Sequence, residues 1–108
     1  MDNVRDCMED MVNAIRASDE YQNFKEAEER VADVPGLVER IREYCWKNYE
    51  LQTSDVEDLY ERMEAFEDEY REFRKNPVVA EYLESELRIC RMIQEINARI
   101  TNVVELMI

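Results

Sequence analysis

The chain reads as an all-α protein, and three observations carry that reading. Glycine occurs once (Gly36) and proline twice (Pro35, Pro77) in 108 residues, far too few turn residues for a β-protein of this length. Charged residues make up 38% of the chain and are rich in Glu and Arg, both good helix formers. Apolar residues recur at steps of three and four along most of the sequence, the spacing of one helix face. The expected architecture is four to five helices in antiparallel hairpins, closed by a long C-terminal helix. Residues 1–108 are expected to form a single helical domain, because the length lies near the commonest domain size.

Val4, Met8, Met11, Val12 and Ile15 form the apolar stripe of a first helix. Ser18 reads as an N-cap, whose hydroxyl accepts from backbone N–H groups in the turn that follows, and Asp19 and Glu20 suit the positive end of a helix. Whether Ser18 separates two helices or kinks one is open at this level. Tyr21, Phe24, Ala27 and Val31 continue at helical spacing until Pro35-Gly36, where proline removes an N–H and pushes Val34 out of the helical region.

Leu37, Ile41, Tyr44, Cys45, Trp46 and Tyr49 mark the next helix, which ends in aromatics. Ser54 followed by Glu57 fits a capping box across Thr53-Ser54-Asp55, although the same residues fit within a continuous helix. From Val56 onward, Leu59, Tyr60, Met63, Phe66, Tyr70 and Phe73 resume the pattern. Asn76-Pro77 then supplies an N-cap and a first-turn proline for the last helix.

No breaker follows Pro77. About 30 residues at ~1.5 Å rise make a helix of roughly 45 Å, against a diameter of about 35 Å for a compact domain of this size. Its end is apolar on more than one face, through Ile89, Met92, Ile93, Ile96, Ile100, Val103, Val104, Leu106, Met107 and Ile108. A second copy or another subunit is expected to pack there, with Ile93, Ile96, Ile100, Val103, Val104 and Met107 at the interface. No fixed heptad persists, so a simple coiled coil is not expected. Trp46 lies off the line of Leu37, Ile41 and Tyr44 and is the candidate for an exposed partner contact.

Net charge is −13, from 27 acids against 14 bases. Phosphate backbones and anionic membranes are repelled by such a surface, so neither direct nucleic-acid binding nor membrane association is expected. A basic partner is electrostatically favoured. The start of the chain lacks a basic region followed by an apolar one, and no run of ~18 apolar residues occurs, which points to the cytoplasm. Three well-separated cysteines, Cys7, Cys45 and Cys90, argue against a disulfide framework.

Catalytic options are few. Without histidine there is no Ser-His-Asp or Cys-His arrangement, no HExxH zinc site and no di-iron site of the ExxH type. One glycine permits no Gly-rich phosphate loop. No enzyme activity and no cofactor are expected. Glu57, Glu61, Glu64 and Asp68 share a helix face that oxygen-loving cations accept, but a solvated face with pairs such as Glu67–Arg71 is the reading adopted. All three cysteines are read as structural core residues; Cys45 and Cys90 sit beside apolar stripes, and Cys7 is harder to place. The alternative function is a metal- or iron–sulfur-binding protein using them.

The stretch Ile15-Arg16-Ala17-Ser18-Asp19-Glu20-Tyr21, followed by Phe24-Lys25 and Ala27, resembles the "I-x-x-S-x-E-Y" segment of the YlbF/YmcA family of small bacterial helical proteins. Asn76-Pro77-Val78-Val79 and the "QEIN" of Gln94-Glu95-Ile96-Asn97 are similar to that family's C-terminal region. The resemblance runs in order along nearly the whole chain and rests on the combination of motifs. It implies a cytoplasmic, non-catalytic protein that forms dimers or larger assemblies and associates with related family proteins. It further implies a complex affecting competence, sporulation and biofilm formation, connected with messenger-RNA processing by a membrane-bound endoribonuclease. Some relatives hold iron–sulfur clusters through cysteines near the C-terminus; this chain ends Leu106-Met107-Ile108, and the cluster is not carried over.

Overall fold

A computed structural model describes residues 2–105, and Met107, one of the expected interface residues, lies outside them. Among the described residues there are six helices and no strand: α1 (Asp2–Ala17), α2 (Asp19–Ala32), α3 (Leu37–Gln52), α4 (Leu59–Glu69), α5 (Arg71–Lys75) and α6 (Pro77–Glu105). The fold is all-α with a long C-terminal helix. At ~1.5 Å per residue, the 29 residues of α6 extend about 44 Å.

The chain's contacts divide it into two compact units. One comprises residues 1–28 and 82–108, the other residues 29–81. Both α2 and α6 contribute to each.

Three of the four sequence breaks are built as the local chemistry dictates. Ser18 Oγ accepts from the Tyr21 N–H at 3.2 Å and donates to the Ile15 carbonyl at 2.6 Å, so one hydroxyl ends α1 and caps α2. Gly36 has φ 76°, the left-handed conformation that glycine adopts without a Cβ penalty, and it turns the chain from α2 into α3. Asn76 Oδ1 accepts from the Val78 N–H at 3.0 Å, with Pro77 opening α6.

The fourth break is real but differs in construction. Ser54 forms no capping box with Glu57; its hydroxyl donates back to the Leu51 carbonyl at 2.7 Å, and that of Thr53 donates to the Tyr49 carbonyl at 2.8 Å. Both hydroxyls finish α3. Helix α4 starts later, at Leu59, and its N-cap residue Asp58 reaches Arg62 instead of the backbone.

The expected continuous stripe from Leu59 to Phe73 is also interrupted. Tyr70 leaves helical geometry between α4 and α5 at φ −102° and ψ 10°, although its N–H still reaches the Phe66 carbonyl. The cause is tertiary. Tyr70 is in edge contact with Tyr44 at 5.1 Å between ring centroids and also meets Phe66 and Phe73. Tyr60 is off the stripe altogether, 81% exposed.

The unit of residues 29–81 holds most of the core: Val31, Leu37, Ile41, Tyr44, Phe73 and Val79 are all buried. Tyr44 is its centre, stacked on Phe66 and touching Tyr70 and Phe73. In the other unit Ala27 and Ser85 are buried, and Phe24 of α2 meets Tyr82 of α6 at 5.6 Å between centroids. Helix α1 buries none of its residues.

Replacing Tyr44 by Ala is expected to cost about 3 kcal/mol, since it leaves a cavity among three rings, Phe66, Tyr70 and Phe73. Ser18→Ala and Asn76→Ala should each cost about 1 kcal/mol through the lost caps. Urea unfolding followed by circular dichroism at one fixed protein concentration measures all three.

Candidate functional site

Two surfaces carry side chains that folding does not bury. The first lies in the unit of residues 1–28 and 82–108. Along α1 the exposed apolar residues are Val4, Met8, Met11 and Val12. On one face of α6, apart from Leu87, which is exposed on another face, they are Ile93, Ile100, Val103 and Val104, with Ile89, Met92 and Ile96 half-buried. At 100° per residue, these seven residues of α6 span about 120° of one helix face. Met11, Ile96 and Ile100 line one groove together with Glu95 and Arg99, so the stripes of α1 and α6 adjoin. Arg99 is paired with Glu95 at 3.0 Å across one helical turn, on the edge of this apolar strip.

The second surface is on α3. Its inner face buries Leu37, Ile41 and Tyr44. Trp46 lies about 170° around the helix from their mean direction, and it is 60% exposed, as is Tyr49. The two rings stack at 5.9 Å between centroids and 26° between planes. Helical spacing sets Glu39, Glu43 and Glu50 on one side of Trp46 and Arg42 on the other. Glu43 holds Lys47 at 3.0 Å, and the Lys47 ammonium lies 5.6 Å from the centroid of the Tyr70 ring. The Glu43 hydrogen bond, then Tyr70, raises the Lys47 pKa above its ordinary value.

Two further grooves are lined mainly by polar side chains. In the unit of residues 1–28 and 82–108, a groove of about 470 Å³ runs along Asp19, Glu20, Asn23, Ser85, Arg88 and Arg91. Ser85 donates to the Tyr82 carbonyl at 2.9 Å and Arg88 is tied to Glu84 at 2.9 Å. A second groove, of about 420 Å³, separates α3 from α4 beside Lys47, Glu50, Leu51, Ser54, Arg62 and Phe66. Neither places a nucleophile beside a base.

The acidic face of α4 is solvated. Asp58 pairs with Arg62 at 3.0 Å. Arg71 pairs with Asp68, not with Glu67 as the spacing predicted. Among the described residues no three His, Cys, Asp or Glu side chains are grouped so as to hold a metal ion. Cys7 and Cys90 are exposed and Cys45 is half-buried, which corrects the reading of Cys7 and Cys90 as core residues. Each sits at the margin of its helix's apolar stripe, and the structure covers neither margin. No helix among the described residues is long and apolar enough to cross a membrane.

The family described as "Control of competence regulator ComK, YlbF/YmcA" matches residues 4–105. The chain belongs to the YlbF/YmcA family. It is 33% identical over 89 residues to a UPF0342 protein of Desulfitobacterium hafniense (strain Y51), covering 80% of this chain and 72% of that protein. With a UPF0342 protein of Caldicellulosiruptor saccharolyticus it shares 26% identity over 113 residues, covering 98% and 91%. No solved structure matches the chain. The match reaches into both compact units, and the segments that carried the sequence resemblance, around Ser18 and Asn76-Pro77, are capped helix junctions in this chain.

With Cys7 and Cys90 exposed, two thiols per chain should react rapidly with a thiol reagent under native conditions, and Cys45 more slowly. A count of thiols titrated before and after unfolding checks this. Trp46 is the one tryptophan, and acrylamide should quench its emission nearly as well as that of a free indole.

Proposed function

We propose that this YlbF/YmcA-family chain is a non-enzymatic regulatory adaptor that works by binding other protein chains, and that it self-associates through the apolar strip of α1 and α6. One observation carries the reading. Eight large apolar side chains on two adjoining helices, Val4 to Val12 and Ile93 to Val104, are left in water by the chain's own fold. Patches of this kind mark protein–protein contacts, because apolar area gains free energy only when removed from water.

The strip also has the composition such a contact needs. Charged residues are depleted from the middle of protein interfaces, and the charges here lie at its edges, with Arg99 neutralised by Glu95. Two copies related by a twofold axis would each present the same strip, so a single apolar face suffices for closure. Trp46 with Tyr49 forms a separate contact on α3, available to a different partner. The family's description, control of a competence regulator, fits an adaptor whose output is the activity of others. By the same likeness the complex would act in competence, sporulation, biofilm formation and messenger-RNA processing, in the cytoplasm and alongside related family proteins.

Mass in solution tests the self-association. The wild-type chain is expected at twice its 13.1 kDa or more at micromolar concentration, and Ile96→Asp or Ile100→Asp should reduce it to a single chain. Met8→Asp, on the neighbouring stripe, should do the same. A wild-type chain that is monomeric throughout that range removes this role. Affinity capture from native cytoplasm, with related family chains or RNA-processing proteins expected among those retained, tests the regulatory part.

A further inference from the structure

We propose that the Trp46–Tyr49 stack on α3, flanked by Glu39, Glu43 and Glu50, is a docking platform for an arginine-bearing basic segment of a partner protein. The proposal rests on the reading of the chain as a protein-binding adaptor, but not on its self-association, which uses other helices.

Folding gives no reason for this pair of rings. The buried face of α3 is complete with Leu37, Ile41 and Tyr44, and Trp46 points to the opposite side. Two of the costliest side chains to leave in water are 60% exposed there, stacked on each other at 5.9 Å. Tryptophan and tyrosine are also the residues that dominate interface hot spots. A stacked pair is rigid, so little ordering is lost when something is laid on it.

The surrounding charge says what is laid on it. Glu39 lies seven residues before Trp46, Glu43 three before and Glu50 four after, all within about 60° of it around the helix. Glu43 is engaged by Lys47, whereas Glu39 and Glu50 make no ion pair among the described residues. Arg42 is the competing cation, about 40° from Trp46 on the side of Tyr49, and three carboxylates against this one guanidinium leave the platform's surroundings net acidic; the cation–ring contacts on α3 are those of Arg40 with Phe73 and Lys47 with Tyr70. Across residues 29–81 as a whole, 15 acids stand against 8 bases. An anionic occupant is repelled by that field, and two rings alone offer too little area to hold a neutral apolar one against the roughly 800 Å² per partner of an ordinary interface.

A cation over the electron-rich ring face satisfies both features at once. Arginine fits better than lysine, since its planar guanidinium stacks on an aromatic face while its N–H groups fork toward carboxylates. Long-range attraction from the acidic surface would raise the encounter rate of such a segment, and the stack would then select it.

Because Trp46 is the chain's one tryptophan, its emission reads occupancy directly. The full-length protein is titrated at physiological ionic strength with three peptides free of aromatic residues: alternating Gly-Arg, Gly-Lys and Gly-Glu. A saturable change with Gly-Arg, a severalfold weaker one with Gly-Lys and none with Gly-Glu is expected. Anisotropy of a fluorescein-labelled Gly-Arg peptide should show about tenfold weaker binding to Trp46→Ala and to the Glu39→Gln/Glu50→Gln double variant. These positions are exposed, so circular dichroism should be unchanged in both variants.

Equal binding by Trp46→Ala and the wild type would mean attraction by charge alone and would overturn the proposal. So would the absence of binding, or Trp46 emission that changes with protein concentration before any peptide is added, which would place a second copy on the stack. Solution mass of the same samples keeps the two readings apart. A monomeric Ile100→Asp chain that binds Gly-Arg as the wild type does supports the platform, whereas an intact oligomer that binds none of the peptides removes the platform alone.

Discussion

The hydroxyphenyl ring of Tyr44 is the contact around which the unit of residues 29–81 is organised. It stacks on Phe66 from α4 and meets Tyr70 and Phe73 at the start of α5, at 5.1–5.8 Å between ring centroids. Helix α4 needs this anchor because its own sequence works against it. Between Asp55 and Glu69 eight acids face a single base, Arg62. Like charges at helical spacing repel one another, and α4 has no residue that the chain buries. Stacking of Phe66 on Tyr44 holds α4 against α3, and the cation–π contact of Arg40 with Phe73 does the same for α5. It also leaves the outer face of α3 with no packing duty, which is where Trp46 and Tyr49 stand.

The unit of residues 1–28 and 82–108 is organised differently. Its interior is thin: Ala27 and Ser85 are buried, and Phe24 meets Tyr82. Helix α1 is amphipathic yet nothing of it is buried. An isolated helix of this length is marginal in water, and most helical stability in proteins comes from packing of the apolar face. If the strip is covered as the proposed function has it, that contact would add to the packing of α1 and of the C-terminal part of α6, on top of a chain that folds by itself.

How much of this was legible in the sequence depends on the range of the interaction concerned. The junctions at Ser18, Pro35-Gly36 and Asn76-Pro77 are written in a few adjacent residues, and each is built as those residues dictate. Trp46 was legible as exposed because helical spacing alone sets it opposite Leu37, Ile41 and Tyr44. What was not legible depended on partners distant in sequence or on a choice between two local bonds. Tyr70 interrupts its helix because of rings on another helix. Ser54 had two carbonyl or amide partners within reach, and its hydroxyl took the Leu51 carbonyl behind it over the amide ahead. The cysteines show a third limit, since periodicity tells which side of a helix a residue is on but not whether anything covers that side. Cys7 and Cys90 are near apolar stripes that the chain leaves open.

The distribution of charge has one more consequence. Most stabilising ion pairs here join neighbours one turn apart on a single helix, such as Glu84 with Arg88 or Glu95 with Arg99, and these exposed pairs contribute little. The unpaired carboxylates, concentrated before and along α4, push against each other over distances that dissolved ions shorten. The fold is therefore tightened, not loosened, by salt. The most acidic helix sits firmest at high ionic strength and loosest at low.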